Sequence, residues 1–325
     1  MSAISLPKCP FQLFVFSVSL VGGAVIVFNL FQSQNKPFPI PDELRSSPYY
    51  DELCSALEIA LEAGAHLQEA IDQPKDVELK GEVDFVTATD KFNEKIIFEH
   101  LKTAYPKYTF IGEESASLDH VSPILTADPT WIVDPIDGTT NFLHSFPFTC
   151  VSIGLCVDRR PVVGVVYAPK LNEIYLGARG CGAYLNGKRM QVSGVKAIKD
   201  SLILTELGYI REPLSRVKFF ACIQEVLRQA PHALRMMGSG VLDLCYVACG
   251  RLDVLWTGVA GEGWKPWDYC AGSLFVEEAG GVLGSLESDD SFSVYDSSCV
   301  AAATPELRDE VTRAVKAALR YKLTP

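Results

Sequence analysis

The stretch Trp131-Ile132-Val133-Asp134-Pro135-Ile136-Asp137-Gly138-Thr139-Thr140-Asn141-Phe142 constrains this chain more than any other. Its apolar opening reads as a strand, and Gly138-Thr139-Thr140 reads as the start of a helix. Pro135 removes a backbone donor and fixes φ, so the chain turns sharply and Asp134 and Asp137 can face one point. Hard divalent cations require clustered oxygens of this kind, and the amides of a helix starting near Thr139 suit an anion. A bare Asp-x-x-Asp is also an ordinary acidic surface turn, so the rest of the chain must decide between the two.

Three further acidic motifs accompany it. The first runs Lys80-Gly81-Glu82-Val83-Asp84-Phe85-Val86-Thr87-Ala88-Thr89-Asp90. The second is Phe110-Ile111-Gly112-Glu113-Glu114-Ser115, where glycine lets a strand end turn and present Glu113. The third is Trp267-Asp268-Tyr269-Cys270-Ala271-Gly272, where Asp268 opens a helix. Taken singly, Glu113 is a solvated strand end and Asp90 or Asp268 an N-cap. Taken together, they suit phosphate ester hydrolysis. Two metals ~3.5–4 Å apart can clamp the attacking and leaving oxygens, and the carboxylates that hold them repel one another without ions. No nucleophilic Cys, Ser–His pair or Gly-x-x-x-x-Gly-Lys-Ser/Thr phosphate loop competes for the role; Gly182 to Lys188 matches in part but continues into Arg189. His66, His100, His120, His144 and His232 are dispersed and read as structural or exposed.

In this order the motifs resemble those of the inositol monophosphatase family, Mg²⁺-dependent, lithium-sensitive phosphomonoesterases. The resemblance runs from about Tyr49 to the C-terminus. It implies an α/β fold, the αβαβα sandwich of that family, a homodimer, and two to three Mg²⁺ ions per site. By position, Glu113, Asp134 and the carbonyl of Ile136 look like ligands of a first ion. Asp134, Asp137 and Asp268 look like those of a second, with Glu113 near a looser third. Asp90 and Thr139 resemble the pair that orients and deprotonates the attacking water. Gly138 and Thr139 would hold phosphate oxygens, and Lys80 resembles a lysine near the metals. Gly238-Ser239-Gly240 stands where the family has a substrate-contacting Gly-Thr-Ala segment. The specificity wall departs from the pattern. The animal enzymes carry a Glu seven residues before the helix Asp, where this chain has Gly261; Glu262 is one place off, and Lys265 replaces a histidine found in some members. The implied activity is hydrolysis of inositol monophosphate. Alternatives are a nucleotide 3′-phosphatase, another sugar-phosphate phosphatase, or a non-catalytic membrane scaffold.

The remaining features bear on setting. Net charge is −11 and the chain lacks a basic field, which argues against nucleic acid as a partner. A small phosphate ester is the expected ligand. Ten scattered cysteines without a Cys-x-x-Cys pair read as reduced, mostly buried thiols. Phe11 to Phe31 is uncharged and long enough for a transmembrane helix. The expectation is therefore a single-pass membrane protein whose catalytic region is cytosolic rather than lumenal, from the balance of Lys8 against Lys36 and Arg45. The expected divisions are an anchor and Pro-rich spacer over 1–48, a metal-binding α+β half over 49–198 and an α/β half over 199–325.

Periodicity fills in the elements. Leu53, Leu57, Ala60, Leu61, Gly64, Leu67 and Ile71 mark one helix, and Phe92, Ile96, Ile97 and Leu101 the inward face of another. Segments 152–156, 162–167 and 173–176 read as a meander with a turn at Gly177-Ala178-Arg179-Gly180, and Asn186-Gly187 as a type I′ hairpin turn. Ser201 to Thr205 reads as a buried strand. A final helix follows Thr304-Pro305-Glu306 with Leu307, Val311, Val315 and Leu319 inward. Strands and helices alternate in blocks, so layers of helix and sheet are expected.

Overall fold

The computed structural model describes residues 38–79, 85–119, 124–209, 211–259, 264–287 and 292–320. All elements below lie in one compact unit, Ile40–Pro325. Helix α1 (Tyr50–Ala70) buries Leu53, Leu57, Ala60, Gly64 and Leu67, the spacing read from the sequence. A two-stranded ladder, β1 (Val77–Leu79) and β2 (Phe85–Thr87), leads into α2 (Ala88–Ala104). The expected inward face of α2 holds at Ile97 and Leu101 but not at Phe92. Phe92 is 48% exposed, whereas Asp90, Asn93 and Glu94 are buried beside Ile97 and Leu101.

A seven-stranded sheet follows in chain order: β3 (Thr109–Gly112), β4 (Thr130–Asp137), β5 (Cys150–Val157), β6 (Arg160–Ala168), β7 (Glu173–Ala178), β8 (Gly182–Leu185) and β9 (Lys188–Arg189). It is parallel at β3–β4 and antiparallel beyond. Short helices leave two strand ends, α3 (Glu113–Asp119) after β3 and α4 (Thr139–Leu143) after β4. Asn186 and Gly187, with φ of 50° and 77°, form the β8–β9 turn as type I′ requires. The preceding turn starts later than expected, because Gly177 and Ala178 still pair with β6 and β8.

The rest of the chain builds β10 (Leu202–Thr205), α5 (Pro213–Leu227), β11 (Ala233–Arg235), α6 (Gly240–Ala248), β12 (Val254–Thr257), α7 (Pro266–Glu278), β13 (Val282–Gly284), β14 (Cys299–Ala302) and α8 (Pro305–Arg320). Its five-stranded sheet runs β11-β10-β12-β14-β13, parallel through the first three strands and antiparallel at β14. Helices α1 and α2 pack on one side of the large sheet, α6 and α7 lie between the sheets, and α5 and α8 pack beyond the small one. That is the expected αβαβα layering. In α8, Leu307, Val311 and Val315 are buried, but Leu319 is 37% exposed and Ala318 takes its inward place. The cysteines among the described residues are free thiols.

Close approach of α7 to the large sheet depends on missing side chains. Gly154, Gly164 and Gly177 stand opposite one another on β5, β6 and β7. A Cβ at Gly154 would fall 2.3 Å from Cys270 Sγ, and one at Gly164 or Gly177 2.8 Å from the Phe275 ring. Gly154→Ala is therefore expected to cost about 1–3 kcal/mol of stability through overpacking. Thermal denaturation checks this, and an unchanged midpoint would show that α7 moves aside freely.

The expected single-pass membrane anchor, with its membrane partner and membrane location, is corrected here. Among the described residues no helix is long and apolar enough to cross a membrane. The longest of them, α1, has the length at 21 residues but carries Asp51, Glu52, Glu58, Glu62 and Glu69, and acidic groups are costly in hydrocarbon. The stretch from Phe11 to Phe31 lies outside the described residues.

Candidate active site

Strand β4 is buried along its whole length, and its pairing with β5 shifts between Asp134 and Asp137, where Pro135 cannot donate. Asp134 Oδ1 accepts the Ile136 N–H at 3.1 Å, which fixes the first carboxylate within the turn. Gly138, at φ 84°, then reverses the chain into α4, a conformation open to glycine at little cost. Asp268 reaches the same place from the first turn of α7, where its carboxylate accepts the Lys265 N–H at 2.6 Å. One carboxylate oxygen from each of Asp134, Asp137 and Asp268 lies within 4.8 Å of the others.

This cluster is electrostatically unstable alone. Burial pushes Asp134 well above the usual carboxylate range, and the charges of Glu113, Asp137 and Asp268 push it further. Burial also raises Asp137 to about 6, although Ser239 and the Val241 N–H favour its anion. Asp268 is raised by burial and then by Asp137. A divalent cation resolves this conflict, because the donors are all hard oxygens and their repulsion becomes attraction to the ion. The residues present fit Mg²⁺.

Glu113 stands at the start of α3 and lines the same cavity as the three aspartates. Its place is set by Glu94, a buried carboxylate on α2 that accepts the N–H groups of Glu114 (2.8 Å) and Ser115 (2.9 Å). The Glu94 carboxyl is itself raised, chiefly by burial. Glu94→Gln is expected to turn one amide donor toward another and cost about 1–3 kcal/mol. It should also raise the Mg²⁺ concentration needed for half-saturation, read by thermal shift with and without the ion. An unchanged Mg²⁺ response would separate Glu94 from the site.

Asp90 and Thr139 meet as expected. Thr87 donates to Asp90 Oδ2 through its hydroxyl and through its N–H at 2.8 Å. This leaves Oδ1 to accept from Thr139 Oγ1 at 3.4 Å, while that hydroxyl also lies 3.1 Å from the Ile136 carbonyl. Asp90 thus closes the capping box of α2 and reaches the site with its other oxygen. Thr87, not Asp90, is the N-cap of α2, and Asp90 stands at the third helical position.

Gly138, Thr139, Gly238, Ser239 and Gly240 line one open cavity of about 840 Å³ with the acids, and Trp264, Lys265, Tyr209, Arg211 and Tyr295 continue its wall. That volume suits a small-molecule site. Lys80, Gly261 and Glu262 lie outside the described residues. Sequence reasoning missed Glu94, Glu206 and Asp243. The available signals were an acid directly after a buried strand, at Thr205-Glu206, and the sole charge in the apolar helix α6, at Asp243.

Comparison with known proteins agrees with this geometry. A profile of the inositol monophosphatase family matches residues 50–320. The chain is 45% identical over 263 residues to inositol monophosphatase 1 of Solanum lycopersicum, covering 80% of this chain and 93% of that one. It is 36% identical over 272 residues to inositol monophosphatase 1 of Homo sapiens, covering 83% and 96%. Among solved structures, the inositol monophosphatase of Anabaena superimposes with a TM-score of 0.69 at 32% identity, covering 82% of this chain and 96% of that one. Layered fold, acidic site and sequence likeness coincide over the same residues, and the chain belongs to the inositol monophosphatase family.

Proposed function

We propose that this protein is a Mg²⁺-dependent phosphatase that hydrolyses inositol monophosphate to inositol and phosphate. The observation that carries the reading is the convergence of Asp134, Asp137 and Asp268 within 4.8 Å, on the cavity that also receives Thr139 and Glu113. Glu113, Asp134, Asp137, Asp268 and the Ile136 carbonyl would hold two to three ions. When bound, Mg²⁺ supplies charge neutralisation at the phosphate and lowers the pKa of the attacking water.

The chain's own residues do the rest. Thr139 Oγ takes a proton from the water as it passes its own to Asp90 Oδ1, a relay that the Asp90–Thr139 hydrogen bond prearranges. Thr87 keeps the Asp90 carboxylate oriented for that transfer. Gly138 and Thr139 face the phosphate from the turn after β4, and Gly238, Ser239 and Gly240 flank the sugar side. Lys80 and Glu262 belong to the same reading as a phosphate contact and a hydroxyl contact.

The test is phosphate release from inositol 1-phosphate, other small sugar phosphates and 3′-phosphoadenosine 5′-phosphate, with Mg²⁺ and after chelation. Fast release from inositol 1-phosphate, lost on chelation and restored by Mg²⁺, is the expected result. Preference for the nucleotide would overturn the substrate assignment, and activity that survives chelation would overturn the metal mechanism.

A further inference from the structure

The Met237–Val241 segment, whose Gly238, Ser239 and Gly240 line the cavity, is tied down from several directions. Asn141 Nδ2 donates to the Met237 carbonyl at 2.8 Å and the Gly238 carbonyl at 3.2 Å. Ser239 Oγ and the Val241 N–H (2.9 Å) donate to Asp137 Oδ2. The N–H groups of Met237 and Gly238 donate to Glu206 Oε1 at 2.5 and 2.9 Å. Beside Glu206 lies Asp243 of α6, which is 0% exposed.

Neither carboxyl oxygen of Asp243 has a donor among the described residues. Its side chain is nevertheless within hydrogen-bonding reach of Glu206. Two carboxyl groups can bond only if one carries a proton, since an ionised carboxylate accepts and never donates. Burial raises Glu206, but the two amides that it accepts act the other way and favour its anion. Asp243 has no such support, and burial together with the Glu206 charge pushes it up. The lack of donors around Asp243 favours the proton there.

We propose that Asp243 is a neutral carboxylic acid that donates a hydrogen bond to Glu206, and that this buried pair positions the Met237–Val241 wall of the site. Its effect on catalysis rests on the phosphatase reading, whereas the proton-sharing pair does not. Through Ser239 and Val241 the wall also steadies Asp137, so slack in the pair reaches both substrate and acids. Asp243 is a positioning residue and touches no reacting atom.

Asp243→Asn and Asp243→Leu separate the possibilities in the full chain. Asparagine keeps a donor toward Glu206 without needing a proton, and leucine keeps the bulk without a donor. For inositol 1-phosphate, Asp243→Asn should retain kcat/KM within about twofold, and Asp243→Leu should lose about tenfold or more, mostly in KM, because Glu206 loses the donor that braces it from α6. Amide hydrogen exchange over residues 237–241, measured without substrate, should stay slow in Asp243→Asn and quicken in Asp243→Leu. Asp243→Ala serves the same comparison if the leucine variant does not fold. Equal damage in the asparagine and leucine variants would overturn the proposal, because it would mean that an anion is required. Slow exchange retained without the donor would overturn it as well. If the wild type releases no phosphate, the phosphatase reading fails, and the exchange measurement still decides the pair.

Discussion

Asp134→Asn is expected to lower phosphate release on the order of 10³-fold or more while leaving the fold intact, because it removes an anionic ligand shared by the proposed ions. The local turn survives, since the asparagine carbonyl oxygen can still accept the Ile136 N–H that Asp134 Oδ1 now accepts at 3.1 Å. The change acts on charge. Asp134 is buried and faces Glu113, Asp137 and Asp268, so neutralising it relieves repulsion when no ion is present. The metal-free variant should therefore melt at or above the wild-type temperature, while the stabilisation that Mg²⁺ confers on the wild type should shrink. Thermal shift against Mg²⁺ concentration and a phosphate-release assay check both halves. Wild-type turnover in Asp134→Asn would remove this residue from the metal set.

Asp90→Asn should separate proton transfer from metal binding. Its amide can turn one oxygen toward the Thr87 donors, which leaves an NH₂ group facing Thr139 Oγ. A hydroxyl facing a donor cannot pass its proton that way, and loss of a general base costs roughly 10²–10⁴ in rate. The drop should fall on kcat, with KM and the Mg²⁺ requirement little changed. Because the asparagine oxygen still closes the capping box of α2, stability should change little. Steady-state kinetics across substrate and Mg²⁺ concentrations check the outcome. A kcat within about threefold of wild type would exclude Asp90 as the base.

What could be read from the sequence was local. The strand, turn and helix of Trp131–Phe142 announce themselves through Pro135 and Gly138, and Asp268 sits where a first-turn acid belongs. Asn186-Gly187 specifies its turn within two residues. The inward face of α2 was read correctly at Ile97 and Leu101 but not at Phe92, because apolar spacing assumes that apolar groups turn inward. Here Asp90, Asn93 and Glu94 turn inward instead. Asn93 Nδ2 donates to the Pro135 carbonyl at 3.4 Å, and Glu94 accepts from Glu114 and Ser115. Those partners lie 20 or more residues away in the chain, so no window along the sequence displays them. Glu206 has the same problem, since its donors at Met237 and Gly238 lie 31 and 32 residues on. The apolar run near the N-terminus suggested a location that the described helices do not support.

The row of glycines at 154, 164 and 177 has a consequence for how such an enzyme can diversify. It recesses one face of the large sheet so that α7 seats against it with little room to shift. Asp134 and Asp137 ride on a strand of that sheet, and Asp268 rides on the seated helix. The three acids therefore move as one rigid piece, set before any ion or ester arrives. Trp264, Tyr209 and Tyr295, on the cavity's outer wall, belong to connecting segments that this seating does not constrain. Substitutions there can retune which phosphate ester is admitted while the acids keep their spacing, so selectivity and chemical competence can evolve on separate parts of one scaffold.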